Sequence, residues 1–474
     1  MMPNRDARNP LPVGAVPTYG ESSQSISAKG SVMADGASRW KVALGALLIQ
    51  LCLGAIYAWS VFTPGLKDSG WTKLHTQIVF SVGLGTFAIV MVFAGRKLKA
   101  WGPQRLALAG GLTLGAGYLI ASLGGGTSFW PVLLGVGLVG GAGIGLAYVV
   151  PIAVGMRWFP DKKGMITGVA VAGFGFGAMG WVKLAGSWGG LIDSIGLDGT
   201  FVVYGILFAV FVVLGSRWMK MPPDGWLPPG FEPRQAIGEG AEDFTPREML
   251  RTPQFHLISL TFLVSAGAGL MAIGLMKLYP TEALMENGLL EENASAIAGT
   301  AMAVFFSLAN GVGRLAWGIL GDRLGRKNSV VAMAASQGIF LLLFTSMAGN
   351  EYTLYLFATL IGFNFGGNFA LFPALTADEF GNAAVGNNYP WIFLSYGAGG
   401  IIFPILGGWL GDAGNFPLAF TITGILCIVG AVASFLVFPP RHDEASKPLS
   451  VHGFFHNAHL EEIHHHEERE PAEV

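Results

Sequence analysis

The chain has 474 residues, of which 52% are hydrophobic, only 12% are charged and 70 are glycine; its mean hydropathy is +0.53 and its formal net charge is -2. An ordinary soluble domain carries about twice that share of charge, so the composition is that of an integral membrane protein. The basic residues lie in short segments between apolar runs, which excludes a continuous patch for nucleic acid.

Residues 1–39 are rich in Gly, Ser, Ala and Pro without a continuous apolar core, and read as a disordered cytoplasmic arm rather than a cleaved signal peptide. Beyond them, runs of the roughly 20 apolar residues needed to cross the hydrocarbon recur twelve times. The predicted spans are 42–66, 76–95, 106–123, 130–153, 166–187 and 201–218, then 255–278, 294–320, 330–348, 352–375, 389–410 and 418–438. This predicts an all-α membrane protein with two six-helix bundles, 40–219 and 254–440, joined by a polar, Pro-rich cytoplasmic linker, 220–253. The tail, 441–474, carries His442, His452, His456, His459, His464, His465 and His466 among glutamates. Such a cluster can take up metal, but a hydrated cytoplasmic tail is the plainer reading, and no metal site or cofactor is expected. Cys52 and Cys427 lie inside apolar runs at opposite ends of the chain and imply no disulfide.

Lysine and arginine placement orients the spans. With the N-terminus inside, the inner loops hold Arg96, Lys97, Lys99, Arg105, Arg157, Lys162 and Lys163 in the first half and Arg323, Arg326 and Lys327 in the second. Arg217 precedes the linker and Lys220, Arg234, Arg247 and Arg251 lie in it, whereas the other side keeps Lys67, Lys73, Lys183 and Lys277. Both termini are therefore expected in the cytoplasm.

Arg314 sits within the apolar stretch FFSLANGVGRLAWGILGDRLGR, 305–326. A cation at membrane depth costs about 2.5–3.5 kcal/mol on insertion scales, so it faces a cavity or a partner. It precedes Asp322 by eight residues, about 12 Å of helix, which sets it near the bilayer middle. A guanidinium stays charged and offers a fork of donors that matches a carboxylate at two points. Asn310, one turn earlier, shares its face. The structural alternative is that Arg314 pairs with a buried acid or backbone carbonyls and ties helices together. No Asp or Glu lies inside a predicted span, which favours a substrate anion.

Two segments repeat. Gly95 to Gly102 (GRKLKAWG) follows the second span and Gly318 to Gly325 (GILGDRLG) follows the eighth, so Gly95, Gly102, Gly318, Asp322, Arg323, Gly325 and Arg326 are candidate gating-loop residues. GDRLGRK after the eighth span resembles the signature of the major facilitator superfamily. Lys99 stands where the second copy has Asp322, so a charge lock is expected only in the second half. IYAWSVFTPGL (56–66), RWFPDKKGMITGVAVAGFGFGA (157–178) and MPPDGWLPPGFEP (221–233) resemble the oxalate/formate antiporter family. That resemblance, from about residue 40 to 440, implies the major facilitator fold and two bundles rocking about a central carboxylate site, as internal repeats with a midplane site also suggest.

The family's matching position in the eighth helix holds a substrate-binding arginine, faced by a lysine of the eleventh. Aligning NYPWIFLSYGAGG (388–400) with that helix puts Tyr396 where the lysine would be. One cation neutralises one carboxylate and leaves a dianion uncompensated in a low-dielectric cavity. Formate, lactate or a similar monocarboxylate is then favoured over oxalate. Tyr57, Tyr148, Phe365, Phe369 and Phe393 are candidate cavity walls, with Tyr396 able to donate its hydroxyl, although such aromatics are more often packing. Lys277 could attract anions or snorkel to the interface, and His256 could titrate near neutrality or simply be solvated. No catalytic pattern of the HExxH, GxSxG or P-loop type occurs, so an enzyme is not expected.

The expected function is secondary active transport of a small organic anion by alternating access, by exchange with a counter-anion or with protons. The family resemblance puts it in a bacterial inner membrane. Alternatives are an oxalate or other dicarboxylate exchanger, a carrier of nitrate or sugar, and a sensor or scaffold that keeps the fold without turnover.

Overall fold

The computed structural model describes residues 24–440 apart from 161, 187, 224–225, 229–242, 382–383 and 439. Residues 1–23, most of the linker and the His-rich tail lie outside the described residues. Residues 24–38 are helical, a stretch free of proline, and they belong to a unit separate from the rest of the chain.

From Arg39 onward the described residues are helices joined by short segments. Eleven helices are long and apolar enough to span a membrane: α1 (Arg39–Val61), α2 (Lys73–Trp101), α4 (Phe129–Trp158), α5 (Ile166–Ala185), α6 (Leu191–Ser216), α7 (Pro253–Leu275), α8 (Glu291–Leu324), α9 (Arg326–Met347), α10 (Glu351–Phe380), α11 (Val385–Asp412) and α12 (Phe416–Phe435). The twelfth, α3 (Pro103–Ala121), is a helix of 19 residues that opens Pro103-Gln104-Arg105 and is diluted by glycines, which is why its hydropathy falls short. Several starts are written in the sequence. Thr72, Thr252, Asn350 and Asn415 each cap a following helix by accepting from a backbone N–H of its first turn.

The packing repeats with a shift of six. In the first half α1 packs on α5, α2 on α4, and α3 on α4 and α6; in the second, α7 packs on α11, α8 on α10, and α9 on α10 and α12. The halves meet where α2 packs on α11 and α5 on α8, two contacts that the same shift exchanges. Pro151 in α4 and Pro373 in α10 are another matched pair. This is the twelve-helix, two-bundle architecture expected from the duplicated sequence.

The repeated segments are helix ends rather than loops. Residues 95–101 finish α2 and 318–324 finish α8, and only Gly102 and Gly325 break the helix. Both adopt the same backbone, φ 78° and ψ 150° at Gly102 and φ 85° and ψ 140° at Gly325, a conformation open essentially to glycine. The next helix starts at the following residue in each case. The boundary error came from the charges, since a helix that overshoots the hydrocarbon carries polar residues without unwinding.

Glycines also set how closely helices approach. Gly143 of α4 lies against α3, Gly173 and Gly177 of α5 lie against α1, and Gly175 lies against Gly311 of α8, as expected of small residues at helical spacing. At Gly313 of α8 a Cβ would stand 2.0 Å from the Phe363 carbonyl oxygen of α10. Gly313→Ala is expected to destabilise the second bundle by about 1–3 kcal/mol, as overpacking does. Thermal unfolding of the purified protein would show it, and an unchanged melting temperature would contradict the backbone contact.

Candidate functional site

Arg314 lies on α8 where that helix packs on α5 and α10, and it is fully buried. Its Nε donates to Asn310 Oδ1 at 3.1 Å, one turn earlier on the same helix. Its Nη1 donates to the Val171 carbonyl oxygen of α5 at 2.8 Å, across the junction of the two halves. The guanidinium carbon stands 4.0 Å from the centre of the Phe369 ring and 5.4 Å from that of Phe174. Nη2 has no hydrogen-bond partner among the described residues. Among the described residues no carboxylate forms an ion pair with Arg314, so the cation is held by carbonyl, amide and π-faces alone.

The fork expected to take a carboxylate at two points is therefore partly engaged. Nε and Nη1 serve the protein, and the Nη2 group is left without a partner among the described residues. Asn310 uses its side-chain oxygen to orient Arg314 through Nε.

Tyrosine hydroxyls from three helices complete the polar lining. α1 tightens to a 3₁₀ stretch at Gly54–Val61, which holds Tyr57, and Gly54 allows α1 to touch the Phe174 carbonyl of α5. The Tyr57 hydroxyl is 2.9 Å from that of Tyr396 on α11, a hydrogen bond between the halves. Tyr148, just before Pro151 in α4, is fully buried and its hydroxyl has no partner.

Aromatic rings close the remainder. Tyr57 packs edge-on against Phe174 at 4.8 Å and Phe365 at 5.4 Å. Phe369 meets Tyr396 at 5.5 Å, and Phe393 stacks on Tyr396 at 4.5 Å and faces Tyr148 at 5.4 Å. Arg314, Asn310, Tyr57, Tyr148, Phe365, Phe369, Phe393 and Tyr396 are thus gathered in one place from five helices of both halves. Each is at most 1% exposed, so the group is sealed from solvent.

Four participants were not singled out from the sequence. Phe87 of α2 lies 5.0 Å from Tyr148 and 5.7 Å from Tyr396, Phe174 of α5 faces the guanidinium, and Phe262 of α7 packs on Tyr396 at 6.2 Å. The fourth is the Val171 carbonyl, a backbone atom that no side-chain pattern announces.

Lys277 and His256 do not belong to this group. Lys277 is half-buried just past α7, between that helix and the short helix Leu278–Glu286, where burial lowers its pKa. His256, in the first turn of α7, is exposed beside Phe255. The helix-end residues are equally remote. Arg326 pairs with Asp322 at 2.9 Å and also with Asp378 at the end of α10, whereas Arg323 and Lys99 are exposed. Arg96 in the first half instead lies 4.9 Å from the Trp391 ring of α11. Asp378 and Glu379 fall in the last turn of α10, which continues five residues past its predicted end, so the predicted span itself still holds no acid.

The sequence profile described as Major Facilitator Superfamily matches residues 42–292 and 284–467. An uncharacterised transporter of that type from Escherichia coli strain K12, YhjX, is 29% identical over 371 residues, 77% of this chain and 86% of its own. The oxalate:formate antiporter of Oxalobacter formigenes is 25% identical over 416 residues, 87% of this chain and 94% of its own. Among solved structures, a variant of the Escherichia coli fucose:proton symporter FucP superposes with a TM-score of 0.58 at 15% identity, covering 83% of this chain and 97% of that one. Profile, helix count and the shift-by-six packing agree: this chain is an integral membrane transporter, not an enzyme, and belongs to the major facilitator superfamily.

Proposed function

We propose that the transporter carries small monocarboxylates, such as formate or lactate, bound at Arg314 and moved by alternating access. The observation that carries this reading is a fully buried guanidinium whose Nη2 has no hydrogen-bond partner and which has no paired carboxylate among the described residues. A buried cation is costly until an anion offsets it. Nη2 and the unpartnered Tyr148 hydroxyl supply two donors for one carboxylate, Tyr57 and Tyr396 lie beside them, and the phenylalanine rings suit a short apolar remainder. Likeness to an oxalate:formate antiporter supports the carboxylate class, and the single cation favours its monoanionic members over oxalate.

Anion binding lowers the charge that the closed site must bury, so the loaded carrier reorients more readily than the empty one. Exchange, or a proton travelling with the anion, follows from that asymmetry. In this reading 40–219 and 254–440 are the rocking bundles, 220–253 is the linker, Asp322, Arg326 and Asp378 steady the second bundle, and both termini face the cytoplasm of a bacterial inner membrane. Counterflow in proteoliposomes tests it: preloaded lactate or formate should drive uptake of the labelled acid, and oxalate, nitrate and glucose should compete at least about tenfold less well. Counterflow driven equally by a sugar would overturn the proposal.

A further inference from the structure

One face of α2 runs the length of the junction with α11. Gly95 near one end lies against the Gly386 carbonyl and Pro390, Ala88 and Leu84 meet Gly397 and Gly400, and toward the opposite end come Ser81, Gln77 and Lys73 at intervals of four. The end carrying Lys73 is the side away from the chain termini, because α1 begins on the termini side and α2 returns to it. Polar residues are concentrated on this outer third.

Lys73 and Gln77 tie the halves together there. The Lys73 ammonium pairs with Glu282 of the helix Leu278–Glu286, lies 3.5 Å from the Gly411 carbonyl that ends α11, and stands 4.8 Å from the Phe416 ring that begins α12. All three partners belong to the second half. One turn deeper Gln77 is fully buried, and its amide donates to the Gly274 carbonyl of α7 at 3.3 Å. Gln77 is wedged between two glycines: a Cβ on Gly274 would stand 2.2 Å from its Oε1, and one on Gly408 would stand 3.1 Å from its Cγ. Ser81, deeper still and fully buried, has a hydroxyl with no partner. Along α2 it comes after Gln77 and before Phe87, whose ring lies 5.7 Å from that of Tyr396.

We propose that Lys73 and Gln77 are the gate on the side away from the termini, Lys73 acting as an ionic latch to Glu282 and Gln77 as a plug seated between Gly274 and Gly408. Opening breaks the ion pair and withdraws the amide from the Gly274 carbonyl, and so connects Ser81 and the aromatic site to water. At the other end of the same helix the contacts are of a different kind, close packing at Gly95 and the Arg96 guanidinium on the Trp391 ring. The two ends therefore respond differently to ionic strength. The assignment does not depend on which solute is carried.

The test is maleimide labelling of Ser81→Cys in the purified full-length protein with Cys52 and Cys427 changed to Ala. Lys73→Met, Glu282→Gln and Gly274→Ala should each speed labelling about tenfold or more. Added salt should speed the parent but not the Glu282→Gln variant, and the charge exchange Lys73→Glu with Glu282→Lys should restore the slow rate. A cysteine placed instead at Ala94, buried near the termini end of α2, reports unfolding and should not accelerate. Unchanged labelling at Ser81→Cys, acceleration at both positions together, or no rescue by the charge exchange would each overturn the gate.

Discussion

Arg314→Ala should abolish transport, and Arg314→Met should do the same while raising the melting temperature of the anion-free protein. The two effects have one cause. Arg314 is fully buried, its positive charge faces no carboxylate among the described residues, and Nη2 makes no hydrogen bond. Replacing a buried ion by an apolar side chain of similar volume is often neutral or stabilising by about 1–4 kcal/mol, and Met keeps the contact with the Phe369 ring. A hydrogen bond to a charged group is worth about 1.5–3 kcal/mol, so losing it weakens anion binding roughly 10- to 150-fold before charge compensation is counted. Arg314→Lys should also lose most activity. An ammonium cannot hold the Asn310 oxygen, the Val171 carbonyl and an anion in the planar spread that the guanidinium uses. Flux in proteoliposomes and thermal unfolding without ligand check both halves of this expectation. Full activity in the alanine variant would remove Arg314 from the mechanism, and a strongly destabilised methionine variant would make it a structural tie.

Tyr396→Lys should turn preference toward dicarboxylates by at least about tenfold. The Tyr396 hydroxyl meets that of Tyr57 across the junction of the halves and its ring is stacked on Phe393, so an ammonium there would join the same enclosed site. Two unit charges 4–8 Å apart repel by about 2–4 kcal/mol at an effective dielectric constant of 20. The free variant should therefore melt lower than the parent and recover when oxalate or succinate is added. Competition of mono- and dicarboxylates against labelled lactate or formate reads the preference. If selectivity stays as in the parent, the valence argument built on this position fails.

The sequence announced what depends on composition and spacing. Twelve apolar runs and two copies of a glycine-bounded segment were enough for the fold, and a lone arginine in an apolar run marked a cation that the structure buries fully. Tyr57 and Tyr148 were named as aromatic cavity walls, and Tyr396 through the alignment of 388–400 with the family's eleventh helix. Phe365, Phe369 and Phe393 were named with them, but Phe87 and Phe174 were not, since nothing local separates these two from phenylalanines that only pack between helices. The splitting of the Arg314 fork depends on a backbone carbonyl, and the Lys73–Glu282 pair joins residues 209 positions apart, so neither leaves a local signal. Helix ends were misjudged where α2, α8 and α10 run past their predicted ends, and that placed Asp378 and Glu379 outside a helix whose last turn they occupy.

The most direct test of the central claim is thermal stabilisation of the purified protein by formate, acetate, lactate, pyruvate, oxalate, succinate, nitrate and glucose, alongside the Arg314→Met variant. A ligand that binds only the folded state stabilises it by mass action, about 2.7 kcal/mol at a hundred times its Kd. The account predicts a rise with one or more monocarboxylates, little with oxalate, succinate or glucose, and none in the variant. Stabilisation by the same acids in Arg314→Met, or by glucose alone in the parent, would contradict it.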